Sequence, residues 1–433
     1  MSEKRKVFIV GWDDFNLKLL KRLPEAGDCE FYPAVKFSEM RDQEGISISG
    51  LLKLADQRIE AAGGIDAVVS YFDFPGTLLV PVIAEKYGLN GPSLESVLKC
   101  EHKYWSRLEQ KKVIPLNIPH FKSFDPFDAN AFDKIGFTPP YWVKPAKSYH
   151  SYLAYQITDS EQFHQCMKEV QAHINDTAEP FSELLDMYNF AEKHPELKVK
   201  MFAETELLGQ QCTAEGYVYN QEVNIYGIVD TVRIPGSPSF ARYEYPGSLP
   251  ERVNEKIIEL SGKVIRHIGL NQSAFNIEFF YTQEDDNLYV LEINPRISQS
   301  HAALFEKVHG VSHHETMLNL ALNRPPRPYE FKGGFNVAGN FMHRAFHSGK
   351  VMAVPSEKEI SRLKEKFPDL EIKINVKQNM DLEDLPPYHI DSYSYVLANI
   401  FIGASTRQEL LKKFDYIINS LTFKIESEEP ESS

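Results

Sequence analysis

The sequence predicts a multidomain protein of mixed α/β and α+β class, opening with a parallel α/β unit and closing with a small α+β unit. Three observations carry this. A chain of 433 residues holds two to four domains at roughly 150 residues each. Residues 1–92 alternate buried-strand and helix patterns, the rhythm of a parallel sheet covered on both faces. From Pro115 the prolines 115, 119, 126, 139 and 140 punctuate short extended pieces, and strand patterns then dominate.

The elements follow in order. Residues 6–10 (KVFIV) are an apolar run closed by Gly11, and 15–23 has helical spacing. An amphipathic stretch at 51–62 precedes a strand at 67–71, and a helix at 78–87 ends at Gly88. The unit is expected to close near Gly91 and Pro92, with Ser93 as a helix N-cap. A second domain then begins, with a strand at 141–144, a helix at 159–174 and a helical insertion at 180–197. Strands are expected at 199–204, 213–219 and 223–232, followed by a long loop at 235–250 rich in Pro, Gly, Ser and Tyr. Apolar residues at 253, 257, 260, 264 and 268 describe an amphipathic helix ended by Gly269. Strands at 275–281 and 288–294, joined by TQEDDN, read as a hairpin. Helices at 298–309 and 312–322, an RPPRP linker at 324–328, a further structured region and an acidic tail at 426–433, expected to be disordered, complete the chain.

Composition excludes several functions. Basic and acidic residues sum to 47 − 61 = −14 with no long Lys/Arg block, which argues against general affinity for nucleic acid or anionic lipid. The longest apolar runs, such as 78–84, fall short of the roughly 20 residues that cross a bilayer; a cytoplasmic location is expected. Four cysteines without a CxxC pair, and histidines without an HExxH spacing, argue against a zinc site or a disulfide framework.

The chemistry concentrates in the hairpin. Alternation places Val290, Glu292 and Asn294 on one face of their strand. Glu278 is mid-strand in the partner among apolar neighbours, and pairing across the six-residue loop brings it near Glu292, within one residue of register. Two carboxylates and an amide oxygen suit Mg²⁺, which takes hard ligands and completes its shell with water and phosphate; solvated surface acids are the alternative. Arg296, just beyond the strand, has the fork to hold a phosphate or carboxylate, or a surface salt bridge. Lys144 ends an apolar strand and so needs an anion, either a phosphate or a structural Glu.

These residues resemble the ATP-grasp superfamily over about 93–325. CEHKYWSRLEQKKVIPLNIPHF is similar to the family's entry segment, which implies that Lys103 meets ATP phosphate, and YWVKPA to its strand with a second nucleotide lysine, Lys144. KMFAETELLGQQCTAEGYV resembles the hinge that grasps adenine, implying Glu204, Thr205 and Leu207 at the base. FNIEFF and LEINPRISQSH resemble the signature in which Glu278, Glu292 and Asn294 hold magnesium and Arg296 meets phosphate. The region after Gly339 resembles the small C-terminal domain of biotin carboxylases and L-amino-acid ligases. The resemblance divides the chain into 1–92, a pre-ATP-grasp domain; 93–143, a linker and domain start; 144–204, the lid; 205–328, the C-terminal grasp subdomain; and 329–425.

Three departures stand out. The loop KSYHSYL has no glycine, leaving Lys147 and Ser148, with His150 and Ser151, as its phosphate donors. Gln211 replaces the Glu that many members use on ribose, and Ser300 stands where biotin carboxylases have a catalytic Glu. The resemblance implies ATP with two Mg²⁺, or Mn²⁺ in their place, and a ligase that joins a carboxylate to an amine through an acyl phosphate. Small-molecule substrates are expected, with Arg242, Tyr243 and His301 as contacts; homodimers are common among similar proteins. A bicarbonate-using carboxylase or carbamoyl-phosphate-type enzyme, favoured by NPRISQS, and a nucleotide-binding regulator without turnover are the competing readings.

Overall fold

The computed structural model describes residues 4–40, 47–147, 152–386, 389–391 and 393–426. Ser148, His150 and Ser151, and all of the expected tail beyond Glu426, fall outside them.

The N-terminal unit is a parallel three-stranded sheet in which Arg5–Trp12 lies between Cys29–Lys36 and Ala67–Ser70. Helices Ile48–Ala61 and Gly76–Lys86 cover it with apolar faces. The Cys29–Lys36 strand escapes the sequence pattern because Pro33 interrupts it; proline is tolerated there because the strand is at the sheet edge, where one ladder partner is absent.

A four-stranded sheet follows, in the order Phe121–Phe124, Met201–Thr205, Tyr141–Pro145, Tyr155–Ile157. Against it packs a long helix, Ser160–Met187, which joins the segment expected at 159–174 to the first part of the insertion expected at 180–197; the rest of that insertion forms the short helices Phe190–Lys193 and Pro195–Lys198. Pro180 lies inside the long helix. Proline costs a helix about 3 kcal/mol in isolation, but both halves are anchored: Phe163, Met167, Val170 and Ile174 in the core of this sheet, Phe181, Leu184 and Leu185 in the core shared with the N-terminal unit.

The largest element is a nine-stranded antiparallel sheet. Its main path runs Asn287–Asn294, Ser273–Thr282, Gln210–Tyr219, Glu222–Arg233, Phe240–Tyr245, Val337–Ala345, Ser394–Ala404, Glu371–Ile374. The sheet does not stop at the boundary expected near 328, because Val337–Ala345 pairs directly with Phe240–Tyr245. Part of the loop expected at 235–250 is thus a central strand. The helix Glu251–Ile268 forms as its periodicity predicts, burying Val253, Ile257, Leu260, Val264 and Ile268 and ending at Gly269 with φ 77°. Among the described residues no helix is long and apolar enough to cross a membrane.

Candidate active site

The hairpin sets the site. Glu278 and Glu292 stand directly opposite each other, as do Asn276 and Asn294, so side chains of both rows share one face. A β-bulge follows Glu278, the kind of local kink that re-aims side chains next to functional sites. Lys103 opens the helix Lys103–Val113, whose first turn is capped by His102 accepting from the Trp105 amide at 3.1 Å, and its Nζ is 2.6 Å from Glu292 Oε2. Burial alone would raise the Glu292 carboxyl, but the Lys103 ammonium holds it at about 2. Among the described residues no such cation is in contact with Glu278. Burial and the neighbouring Glu292 charge push it up to about 7, and it accepts one bond, from Gln211 Nε2 at 2.8 Å. A buried carboxyl facing another carboxylate with no cation of its own fits a bound divalent metal.

The basic residues are brought to the same region, each on a carboxylate. Lys144 and Arg107 both hold the buried Glu204, Arg107 Nε at 3.1 Å from Oε2. Arg296 makes a two-point ion pair with Asp73, its Nη2 at 2.8 Å from Oδ2. Lys147 pairs with Glu101 and lies over the Phe74 ring at 5.0 Å.

The partners of the other expected site residues are as follows. The Glu204 side chain is committed to two cations, as a carboxylate buried this deeply requires. Gln211 Nε2 donates to Glu278 Oε2 and Gln211 Oε1 accepts from Arg233 Nη2, both at 2.8 Å. Lys147 points to Glu101 for the same reason of charge compensation. Thr205 ends the strand Met201–Thr205, its amide donating to His120 O at 2.9 Å, and Leu207 is in the connection that follows it to the larger sheet. Tyr243 is on the face that holds Glu278, opposite Thr231, which is opposite Gln211. Arg242, one residue earlier, is on the reverse face, bonded to Glu244 and away from Glu278. His301 is buried, its Nδ1 2.6 Å from Glu215 Oε1.

Sequence reasoning missed Asp73, Glu101, Arg107, Glu215 and Arg233. Asp73 had a signal: it follows the carboxyl end of the parallel strand Ala67–Ser70, where open α/β sheets collect ligands.

No cluster of three or more His, Cys, Asp or Glu side chains suited to a metal occurs among the described residues. Two carboxylates with Asn294 therefore suit a metal that arrives with phosphate oxygens and water, as Mg²⁺ does, better than a zinc-type cage. On the adjoining strands a cleft of about 410 Å³ is lined by Gln211, Thr231, Arg233, Asp230, Glu244 and Arg407 among others.

This architecture matches known proteins along its whole length. Residues 246–327 match the family description of the carbamoyl-phosphate synthase L chain, ATP binding domain. A carbamoyl phosphate synthase large chain from Micrococcus luteus is 35% identical over 75 residues, which is 17% of this chain and only 7% of that relative. An L-amino acid ligase structure from Bacillus licheniformis superposes with a TM-score of 0.70 at 15% identity, covering 99% of this chain and 100% of that one. A biotin carboxylase from Campylobacter jejuni, a β-γ-ATP complex, gives 0.67 at 14% identity over 98% and 92% of the two chains. An N5-carboxyaminoimidazole synthase from Aspergillus clavatus, in complex with ADP, gives 0.65 at 14% identity over 97% and 99%. The fold is that of the ATP-grasp superfamily.

Proposed function

We propose that the protein is an ATP-dependent ligase that joins a carboxylate, such as that of an amino acid, to an amine through an acyl phosphate, releasing ADP and phosphate. The observation that carries this is the placement of Glu278 directly opposite Glu292, flanked by Lys103 and by Asn294 and Arg296. A binding protein needs no second carboxylate that is costly to keep buried. The named activities of the superposed L-amino acid ligase and N5-carboxyaminoimidazole synthase support the same reading.

The chemistry follows from charge. A carboxylate repels nucleophiles and has no good leaving group, so phosphorylation activates it. Lys103, Lys144 and Arg296 are the cations available to neutralise the transferring phosphoryl group and hold it in line. Glu278, Glu292 and Asn294 would hold Mg²⁺, which when bound supplies charge neutralisation on the phosphates. Arg296 is also placed to stabilise the oxyanion formed when an amine attacks the acyl carbon. Ser300, in place of a carboxylase-type Glu, leaves bicarbonate activation without its base.

The test is an ADP-release screen across amino acids, with hydroxylamine present to trap acyl phosphate. Release that needs both a carboxylate and an amine is expected, and bicarbonate dependence would replace the proposal with the carboxylase reading. Glu292→Ala should lower ADP release by at least about 100-fold with an unchanged circular dichroism spectrum; retained activity would remove the metal assignment.

A further inference from the structure

The catalytic face carries a second polar row beside the metal carboxylates. Thr213, Glu278 and Glu292 stand opposite one another across three strands; two residues along, Glu215, Asn276 and Asn294 do the same. At about 3.3 Å per residue the rows are about 7 Å apart. Glu215 and His301 are 0% and 3% exposed, joined at 2.6 Å through Nδ1. Among the described residues His301 Nε2, the ring nitrogen that does not meet this carboxylate, is buried without a hydrogen-bond partner, and Glu215 Oε2 has only His313 Nδ1 nearby, at 3.8 Å. A buried imidazole nitrogen left without a hydrogen bond, on a ring already oriented by a carboxylate, is free to accept a proton. The Tyr243 ring meets His301 edge-on at 4.6 Å, which sets the imidazole beside the face that holds Gln211 and Glu278.

We propose that Glu215 and His301 form a proton relay that accepts the proton of the amine nucleophile; this rests on the ligase reading above. As the nitrogen bonds to the acyl carbon and the C–O bond to phosphate breaks, one N–H proton passes to His301 Nε2. The Nδ1 proton passes to Glu215. His301 ends neutral in its other tautomer, Glu215 ends as the acid, and phosphate leaves with the bonding electron pair.

The electrostatics suit a relay that never builds an imidazolium. Burial, with a smaller effect of Arg296, holds His301 down at about 3, while burial pushes Glu215 up to about 7 against the opposing pull of His313 and Arg296. Once transferred, the proton therefore rests on the carboxyl and not on the imidazole. The other groups facing the pair are Tyr243, Tyr226 and Tyr329, and His313, whose Nδ1 is 3.8 Å from Glu215 Oε2 and which burial keeps neutral down to about 4. Because only the ionised Glu215 can take a proton, coupling to an amine should rise with pH through about 7 and fall below it.

The experiment compares wild type, His301→Gln and Glu215→Gln with ATP, Mg²⁺ and a mixture of the standard L-amino acids, measuring coupled product alone and hydroxamate with added hydroxylamine. Hydroxylamine is largely unprotonated at neutral pH and needs no enzymic base. Both variants should lose amine coupling about 100-fold more than hydroxamate formation, and the rise in coupling near neutral pH should vanish. Equal losses in the two reactions, the mark of a packing role, would overturn the relay, as would no loss in either. Should His301→Gln fail to fold, Glu215→Gln decides the matter. A wild-type chain that forms no hydroxamate overturns the ligase reading and the relay together, whereas normal wild-type turnover with unaffected variants overturns the relay alone.

Discussion

Glu204 shows how charge pairing decides what a residue can do. Its carboxylate is almost completely enclosed and holds Arg107 and Lys144 at once, so removing its charge leaves a buried guanidinium and a largely buried ammonium without their anion. Glu204→Gln should destabilise the protein by about 3 kcal/mol, read as a shift in the urea midpoint; a shift near zero would mean that the site is hydrated. At this scale the sequence is informative where geometry is local. The sharing of a face by Glu278 and Glu292 is legible because strand alternation and a short loop fix which side chains converge. The partner of Lys144 is not: phosphate and structural Glu are both open until Met201–Thr205 is seen beside Tyr141–Pro145. Glu215 and His301 are 86 residues apart, and nothing in either neighbourhood announces the other.

Among the elements, the most legible have a strong period and a clear stop. Glu251–Ile268 has both, and its stop can be tested. Gly269 has φ 77° with nothing near its missing Cβ, so Gly269→Ala should cost only the left-handed backbone conformation, about 1 kcal/mol. Gly209, between the hinge and the strand Gln210–Tyr219, has φ 107° and would place a Cβ 2.2 Å from the Tyr281 carbonyl oxygen. Gly209→Ala should therefore cost clearly more than Gly269→Ala in thermal melts of the two variants, and an equal or reversed order would show that the hinge yields to the added methyl. The least legible elements are those that tertiary contacts rescue from their own sequence. Pro180 reads as a helix break but lies inside Ser160–Met187, and Pro33 reads as a strand break but lies in an edge strand. In both cases packing outweighs local preference.

In the whole molecule, cations expected to meet a triphosphate are held by carboxylates contributed from other parts of the fold. Glu101, from the helix Leu94–Glu101, takes Lys147; Asp73, from the N-terminal unit, takes Arg296 across 223 residues of chain. This compensation explains how a cluster of basic side chains stays buried, and why a net charge of −14 is compatible with the proposed phosphate-binding centre. It also makes the N-terminal unit a structural part of the signature, joined to it through Asp73. A double-mutant cycle measures that joint. Asp73→Asn and Arg296→Gln each remove one side of the pair, and their combined effect on unfolding should fall short of the sum by about 1–2 kcal/mol, a modest figure because both side chains keep some contact with solvent, which screens the interaction. Saturating ADP with Mg²⁺ should shrink this coupling, since phosphate oxygens would then offer Arg296 a second anion. Strict additivity without nucleotide would mean that Asp73 does not hold Arg296 in solution, and the N-terminal unit would then reach the site only through packing.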